Sequence, residues 1–226
     1  MKWLTPGGLV AACAVGASVT WGLGWPGLAT LAAFLVSGSL LTQLAERRSP
    51  RRTARQVIAN GGAAAVAALL GSWTAAAGAI AAGAADTWAT EIGAFSPLAP
   101  RLITSGLRVT RGTSGGITLL GTLGAVAGAV TIAALAHTLA PRAVAPGFLL
   151  VTSGGVAGMV ADSLLGATLQ AKYECPACDA RFERGLTVCH EPVRLVSGWR
   201  WLDNDAVNLV ATLLGAAVST LIATIV

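Results

Sequence analysis

Seven stretches of this chain, near residues 4–21, 25–44, 56–72, 75–94, 116–138, 147–170 and 205–225, stay apolar for about the length needed to cross the roughly 30 Å hydrocarbon core of a bilayer. With 54% hydrophobic and 11% charged residues, the 226-residue chain lacks the polar cover that so much apolar surface needs in water. The runs are built largely from alanine and from the 28 glycines, and small residues let membrane helices approach closely. The expected fold is all-α, a single polytopic membrane domain over 1–226 with about seven transmembrane helices in a small-residue-rich bundle. Six is the alternative count, because Gly71-Ser72-Trp73 is a weak break and the third and fourth runs also read as one long bent helix.

Charge then sets the expected orientation. The net charge of +5 comes mostly from arginine, and in a membrane chain such an excess reports topology first. No basic-aromatic module points to nucleic acid. Arg47, Arg48, Arg51, Arg52 and Arg55 fill the loop after the second run, which is therefore expected in the cytoplasm. Counting outward puts the N-terminus, the 95–115 loop and the cysteine-containing 171–204 loop inside, with the His137–Ala145 turn and the C-terminus outside. The expected location is the cell's inner or plasma membrane. Lys2 and the apolar run to Cys13 resemble a lipoprotein leader, but Pro6-Gly7-Gly8 interrupts the run, so an ordinary first helix is expected.

Inside this apolar frame sit groups that a membrane helix rarely carries: Asp86, Glu91, Asp162 and Asp205, with Asn60 and Asn208. Each ionisable group there costs about 2.5–3.5 kcal/mol on insertion scales, so such groups face polar cavities. All six fall at similar depth on the expected cytoplasmic side, which points to one site. A hard cation such as Mg²⁺ takes one or two carboxylates, waters and phosphate oxygens. The four acids are the candidates for metal binding and catalysis; packing against loop arginines alone is the competing reading. Asp86 and Glu91, five residues apart, lie about 140° apart round a helix and need not share a ligand position.

The loop that follows carries Arg101, Arg108 and Arg111 and ends in Gly112-Thr113-Ser114-Gly115-Gly116, where the next run begins. Planar guanidinium forks fit phosphate oxygens, and the N–H groups of a Gly-rich turn opening a helix add an anion site. The three arginines with Thr113, Ser114 and Gly115 are thus candidate phosphate contacts, although each arginine alone also fits a positive-inside anchor. No Walker A motif is present, and no lysine lies between Lys2 and Lys172. In the stretch Trp201 to Asn208, Asp203 or Asn204 suits a helix N-cap, while Asp205 and Asn208 share a face. Cys175-x-x-Cys178 followed by Cys189-His190 suits a structural zinc, with a redox pair and bare thiols as alternatives. Cys13 is expected only to pack, and His137 to lie at the interface.

Five stretches, taken in order, resemble one integral-membrane family: Ala59-Asn60-Gly61-Gly62, Asp86 to Gly93, Pro100 to Thr104, Gly112 to Gly116, and Trp201 to Asn208. That family was long catalogued as a domain of unknown function, and its plant member is phytyl-phosphate kinase. Asp162 to Ala167 and Tyr173 to Cys178 fit it too. The resemblance implies phosphoryl transfer from a nucleoside triphosphate, with CTP suspected, to a prenyl monophosphate such as phytyl or geranylgeranyl phosphate. It implies Mg²⁺ on the acids, and Asn60 and Asn208 positioning substrate. An ion-coupled transporter is the rival, since Gly-broken helices with intramembrane acids are also carrier parts. The clustering of polar groups at one side, and not the midplane, argues against it.

Overall fold

The computed structural model describes residues 3–45, 51–177, 181–182, 187–188 and 191–223. Among them are six α-helices: α1 (Pro6–Leu44), α2 (Ala54–Leu69), α3 (Trp73–Gly93), α4 (Leu119–Leu139), α5 (Phe148–Thr168) and α6 (Asn204–Ala223). Four of them, α1, α4, α5 and α6, are long and apolar enough to cross a membrane. The chain is an all-α membrane protein in its architecture, with short strands confined to its loops.

The first two expected spans appear as the two arms of α1. A straight helix of its 39 residues would measure about 58 Å, nearly twice the hydrocarbon core. Gly24 breaks it with φ 70° and ψ −167°, a conformation open to glycine, and Pro26 follows. The arms fold back on one another. Thr5 at one end donates its N–H and its hydroxyl to the carbonyl of Arg52, the loop residue whose side chain packs against Gly38 near the other end.

The 56–72 and 75–94 runs are two helices and not one bent helix. Gly71 adopts φ 72° in the turn, and the Ser72 hydroxyl accepts from the Ala75 N–H to cap α3. The pair is antiparallel, since Gly83 of α3 lies against the backbone of Asn60 in α2. Neither α2 nor α3 is among the four strongly apolar spans. The α2 helix has 16 residues, and α3 carries Asp86 and Glu91.

Every other helix packs against α3. Its first three turns are almost wholly buried alanine and glycine, from Ala76 to Ala85. Small residues explain the arrangement, because only a thin helix admits five close neighbours. Gly78 of α3, Gly154 of α5 and Gly215 of α6 meet at one crossing, where a Cβ on Gly78 would fall 2.6 Å from the Gly215 carbonyl oxygen. The α5 helix runs parallel to α3, with Gly155 on Ala81 and Gly158 on Ala82. One turn further along, this register brings Asp86 and Asp162 to matching depth. Large apolar side chains such as Val10, Leu119, Leu149 and Leu213 stay exposed on the outside, as lipid contact requires.

The two ends of the bundle differ. At one end lie the α1 break, the α2–α3 turn and a single 3₁₀ turn (Arg142–Val144) between α4 and α5, with Trp21 and Trp25 outermost. The other end carries the long loops. There β1 (Arg101–Leu102) pairs antiparallel with β2 (Gly116–Ile117). In the 171–204 loop, β3 (Lys172–Glu174) pairs with β4 (Arg181–Phe182) and β7 (Arg194–Ser197), and β5 (Thr187–Val188) with β6 (Glu191–Pro192). This loop therefore holds a small antiparallel sheet. Trp199 and Trp201 stack 5.5 Å apart beside it, so exposed tryptophans mark both ends, as in aromatic belts.

Candidate functional site

The polar ends of α3, α5 and α6 enclose two cavities that share one wall. The first, of about 270 Å³, lies among α3, α4, α5 and the Arg111–Ile117 loop. The second, of about 320 Å³, lies among the second arm of α1, α2, α3 and the start of α6. Asp86, Thr90 and Asn204 line both.

Asp162 faces the first cavity together with Asp86. The loop opposite is shaped by its glycines. Gly115 has φ 78°, and a Cβ there would come within 2.5 Å of Ala167 on α5, so the backbone can seat this closely only as glycine. Its carbonyl accepts from the Ile103 N–H at 2.9 Å, which ties the loop to the β1 strand. Thr113, Ser114 and Gly116 complete that side of the cavity. Arg111 reaches across the mouth, donating to the carbonyls of Ala94 and Ser96 just beyond α3. The Gly/Ser/Thr turn does not open the helix directly, because β2 and Thr118 intervene. Thr118 is the cap, its hydroxyl accepting from Gly121 at 2.9 Å, and it also lines the cavity. Gln170 closes the far side; it is 2% exposed and its Nε2 has no hydrogen-bond partner among the described residues.

Glu91 belongs to the second cavity, as the angular separation of Asp86 and Glu91 requires. It is buried, and its Oε1 accepts from the Thr42 hydroxyl at 2.8 Å. Asn60 and Asn208 line the same space; Asn60 donates to the Gln56 carbonyl one turn earlier. Arg52 enters from the loop before α2. Burial pushes its guanidinium below the ordinary arginine value, and the negative charge of Glu91 opposes that shift.

The remaining predicted residues lie elsewhere. Asp205 lines neither cavity; its Oδ2 stands 3.5 Å from Arg55 Nε, while Arg55 Nη2 holds Asp203 at 2.7 Å. Asp203 also caps α6 by accepting from the Ala206 N–H, which leaves Asn204 to the cavities. Arg101 donates to the Gly106 carbonyl at 2.8 Å on the exposed face of the loop, and Arg108, its bridge partner, is exposed as well. Among the described residues no three His, Cys, Asp or Glu side chains gather to cage an ion. Mg²⁺ needs fewer, since phosphate oxygens supply the rest, and Asp86 with Asp162 suits that demand. Of the zinc candidates, Cys175 is buried at the end of β3, and Cys178, Cys189 and His190 lie outside the described residues.

Sequence reasoning missed Arg52, Trp3, Thr42 and Gln170. Arg52 was one of five arginines explained by topology alone, and the other three are ordinary residues near helix ends. Only their convergence marks them.

A family model described as integral membrane protein DUF92 matches residues 1–216. The chain belongs to that family. Similar proteins include the uncharacterized membrane protein MJ0933 of Methanocaldococcus jannaschii, 36% identical over 143 residues, 63% of this chain and 48% of the relative. Protein PGR of Arabidopsis thaliana is 36% identical over 140 residues, 57% of this chain and 47% of its own. Protein VTE6, chloroplastic, from the same plant is 26% identical over 241 residues, covering 96% of this chain and 65% of its own. The chain spans about half the length of the first two. No solved structure matches it.

Proposed function

We propose that this DUF92 protein is an integral-membrane phosphotransferase that moves the terminal phosphoryl group of a nucleoside triphosphate, CTP in the first instance, onto a prenyl monophosphate. An oxygen of the prenyl phosphate attacks the γ-phosphorus, the bond to the β–γ bridging oxygen breaks, and nucleoside diphosphate and prenyl diphosphate leave. The observation that carries the reading is Asp86 on a wall between two polar cavities, one of which also holds Asp162, Arg111 and the Gly/Ser/Thr loop. Phosphoryl transfer asks a protein mainly to position two phosphates and stabilise charge, and an already anionic nucleophile needs no base. Mg²⁺ held by Asp86 and Asp162 would neutralise polyphosphate charge. Arg111, already oriented by the Ala94 and Ser96 carbonyls just beyond α3, and the loop N–H groups would hold donor oxygens. The resemblance to the family of plant phytyl-phosphate kinase supplies the lipid substrate class. In this reading the cavities open to the cytoplasm, the side of the arginines.

The test is purified protein in detergent with Mg²⁺, γ-labelled CTP or ATP in parallel, and phytyl or geranylgeranyl monophosphate. Labelled prenyl diphosphate is expected. Folded protein that gives none with either nucleotide, yet shows counterflow of a prenyl phosphate in nucleotide-free liposomes, would be a carrier instead.

A further inference from the structure

We infer that the cavity between α1, α2 and α3 is a dedicated subsite for the monophosphate of the lipid acceptor, with Arg52 as its principal ligand; this assignment rests on the phosphotransferase reading above. The argument starts from hydrogen-bond accounting. Arg52 has its backbone fixed at both ends, its N–H donating to the Trp3 carbonyl at 3.0 Å and its own carbonyl accepting from the Thr5 N–H at 3.1 Å. Its guanidinium lies beside Gly38, which leaves it room, and it makes no hydrogen bond or salt bridge among the described residues. Five donors in a largely buried fork with no acceptor are costly. The same cavity holds a second donor in that condition, the buried indole N–H of Trp3, which has no hydrogen-bond partner among the described residues. Glu91, 8% exposed, attracts Arg52 without pairing with it, and its Oε2 also has no hydrogen-bond partner among the described residues. Two fixed donor groups facing one space call for a ligand rich in anionic oxygens. Exposed Arg51 at the rim adds positive charge.

A monophosphate fits here better than a polyphosphate. Each cavity has two carboxylates, Asp86 with Asp162 in the first and Asp86 with Glu91 in the second, but Glu91 already accepts from Thr42, and the second cavity has arginines in place of the Gly-rich loop. The second cavity also has an apolar inner wall in Phe34, suited to the first carbons of a lipid tail. The shared wall at Asp86, Thr90 and Asn204 then marks where the two phosphates meet.

The experiment titrates the full chain in detergent with three probes separately, following ³¹P NMR: geranylgeranyl monophosphate, inorganic phosphate and Mg²⁺–CTP. Arg52→Gln is expected to weaken geranylgeranyl phosphate about ten-fold or more, as loss of a charged hydrogen-bond donor does, with Mg²⁺–CTP affinity held within about two-fold. Arg52→Lys should recover part of it. Trp3→Phe, which removes only the indole N–H, should weaken the same probe by a smaller factor and serves if the arginine variants misfold. Unchanged lipid-phosphate affinity in folded Arg52→Gln and in Trp3→Phe would overturn the assignment, as would a loss confined to Mg²⁺–CTP. Inorganic phosphate binding as tightly as the prenyl phosphate would overturn its lipid part. Arg52-dependent prenyl-phosphate binding without any label transfer would sink the kinase reading and leave the subsite standing. Label transfer with an unchanged KM for prenyl phosphate in Arg52→Gln would do the reverse.

Discussion

The two cavities on either side of Asp86 solve the anion problem with different parts. The first uses backbone and short side chains: a glycine loop, six hydroxyl residues, two carboxylates, and one arginine already committed to carbonyl oxygens. The second uses long side chains carried by four separate helices and the loop before α2, among them an arginine whose guanidinium makes no hydrogen bond among the described residues. A backbone cradle is rigid and reads charge geometry; a cavity of side chains gathered from distant elements adapts to one head group beside an apolar wall. The difference also sorts the acids. Asp86 serves both spaces and Asp162 and Glu91 one each, whereas Asp205 anchors α6 through Arg55.

The largest expected effect comes from the shared wall. Asp86→Asn keeps the side-chain shape and removes its charge, and should lower label transfer about 100-fold or more, the scale of removing a transition-state stabiliser. Activity within a few-fold of wild type would remove Asp86 from the chemistry. Asp162→Asn should act on one side only. Its expected signature is a KM for nucleotide raised about 10- to 100-fold with prenyl-phosphate binding retained, and equal losses of both ligands would merge the cavities into one site.

Smaller effects test how the cradle is built. Gly115→Ala places a side chain at φ 78° and against Ala167, so stability should fall by about 1–2 kcal/mol from the backbone alone. A thermal melt in detergent reads it, and an unshifted midpoint would mean that the loop does not seat against α5. Arg101→Ala and Arg108→Ala should change activity by no more than about two-fold, since exposed arginines off both cavities contribute little. A large rise in nucleotide KM in either variant would return these arginines to the phosphate site.

Much of this was legible in the residues. Apolar runs located all the helices, because a span must satisfy its backbone internally and leaves an uninterrupted apolar stretch. Even the two arms of α1 were readable, from Trp21 to Pro26. The acids announced a polar site since nothing else justifies their cost in a bilayer. Less legible were boundaries: Gly116 and Ile117 pair as a strand with Arg101 and Leu102, so α4 begins at Leu119. The sheet in the 171–204 loop was not foreseen, its strands being two to four residues long and without periodic pattern.

By itself, then, the sequence determined a membrane bundle with its charge at one end and named the acids that have to be sheltered there. Tertiary structure decided the sharing. Whether an acid faces a cavity or an arginine depends on helix rotation and register, which glycine contacts such as Gly155 on Ala81 and Gly158 on Ala82 set across chain separations no local pattern encodes. Tertiary packing likewise turned Arg52 from a topology signal into a guanidinium without a hydrogen-bond partner among the described residues, beside Glu91, and put Asp205 on Arg55 instead of in either cavity.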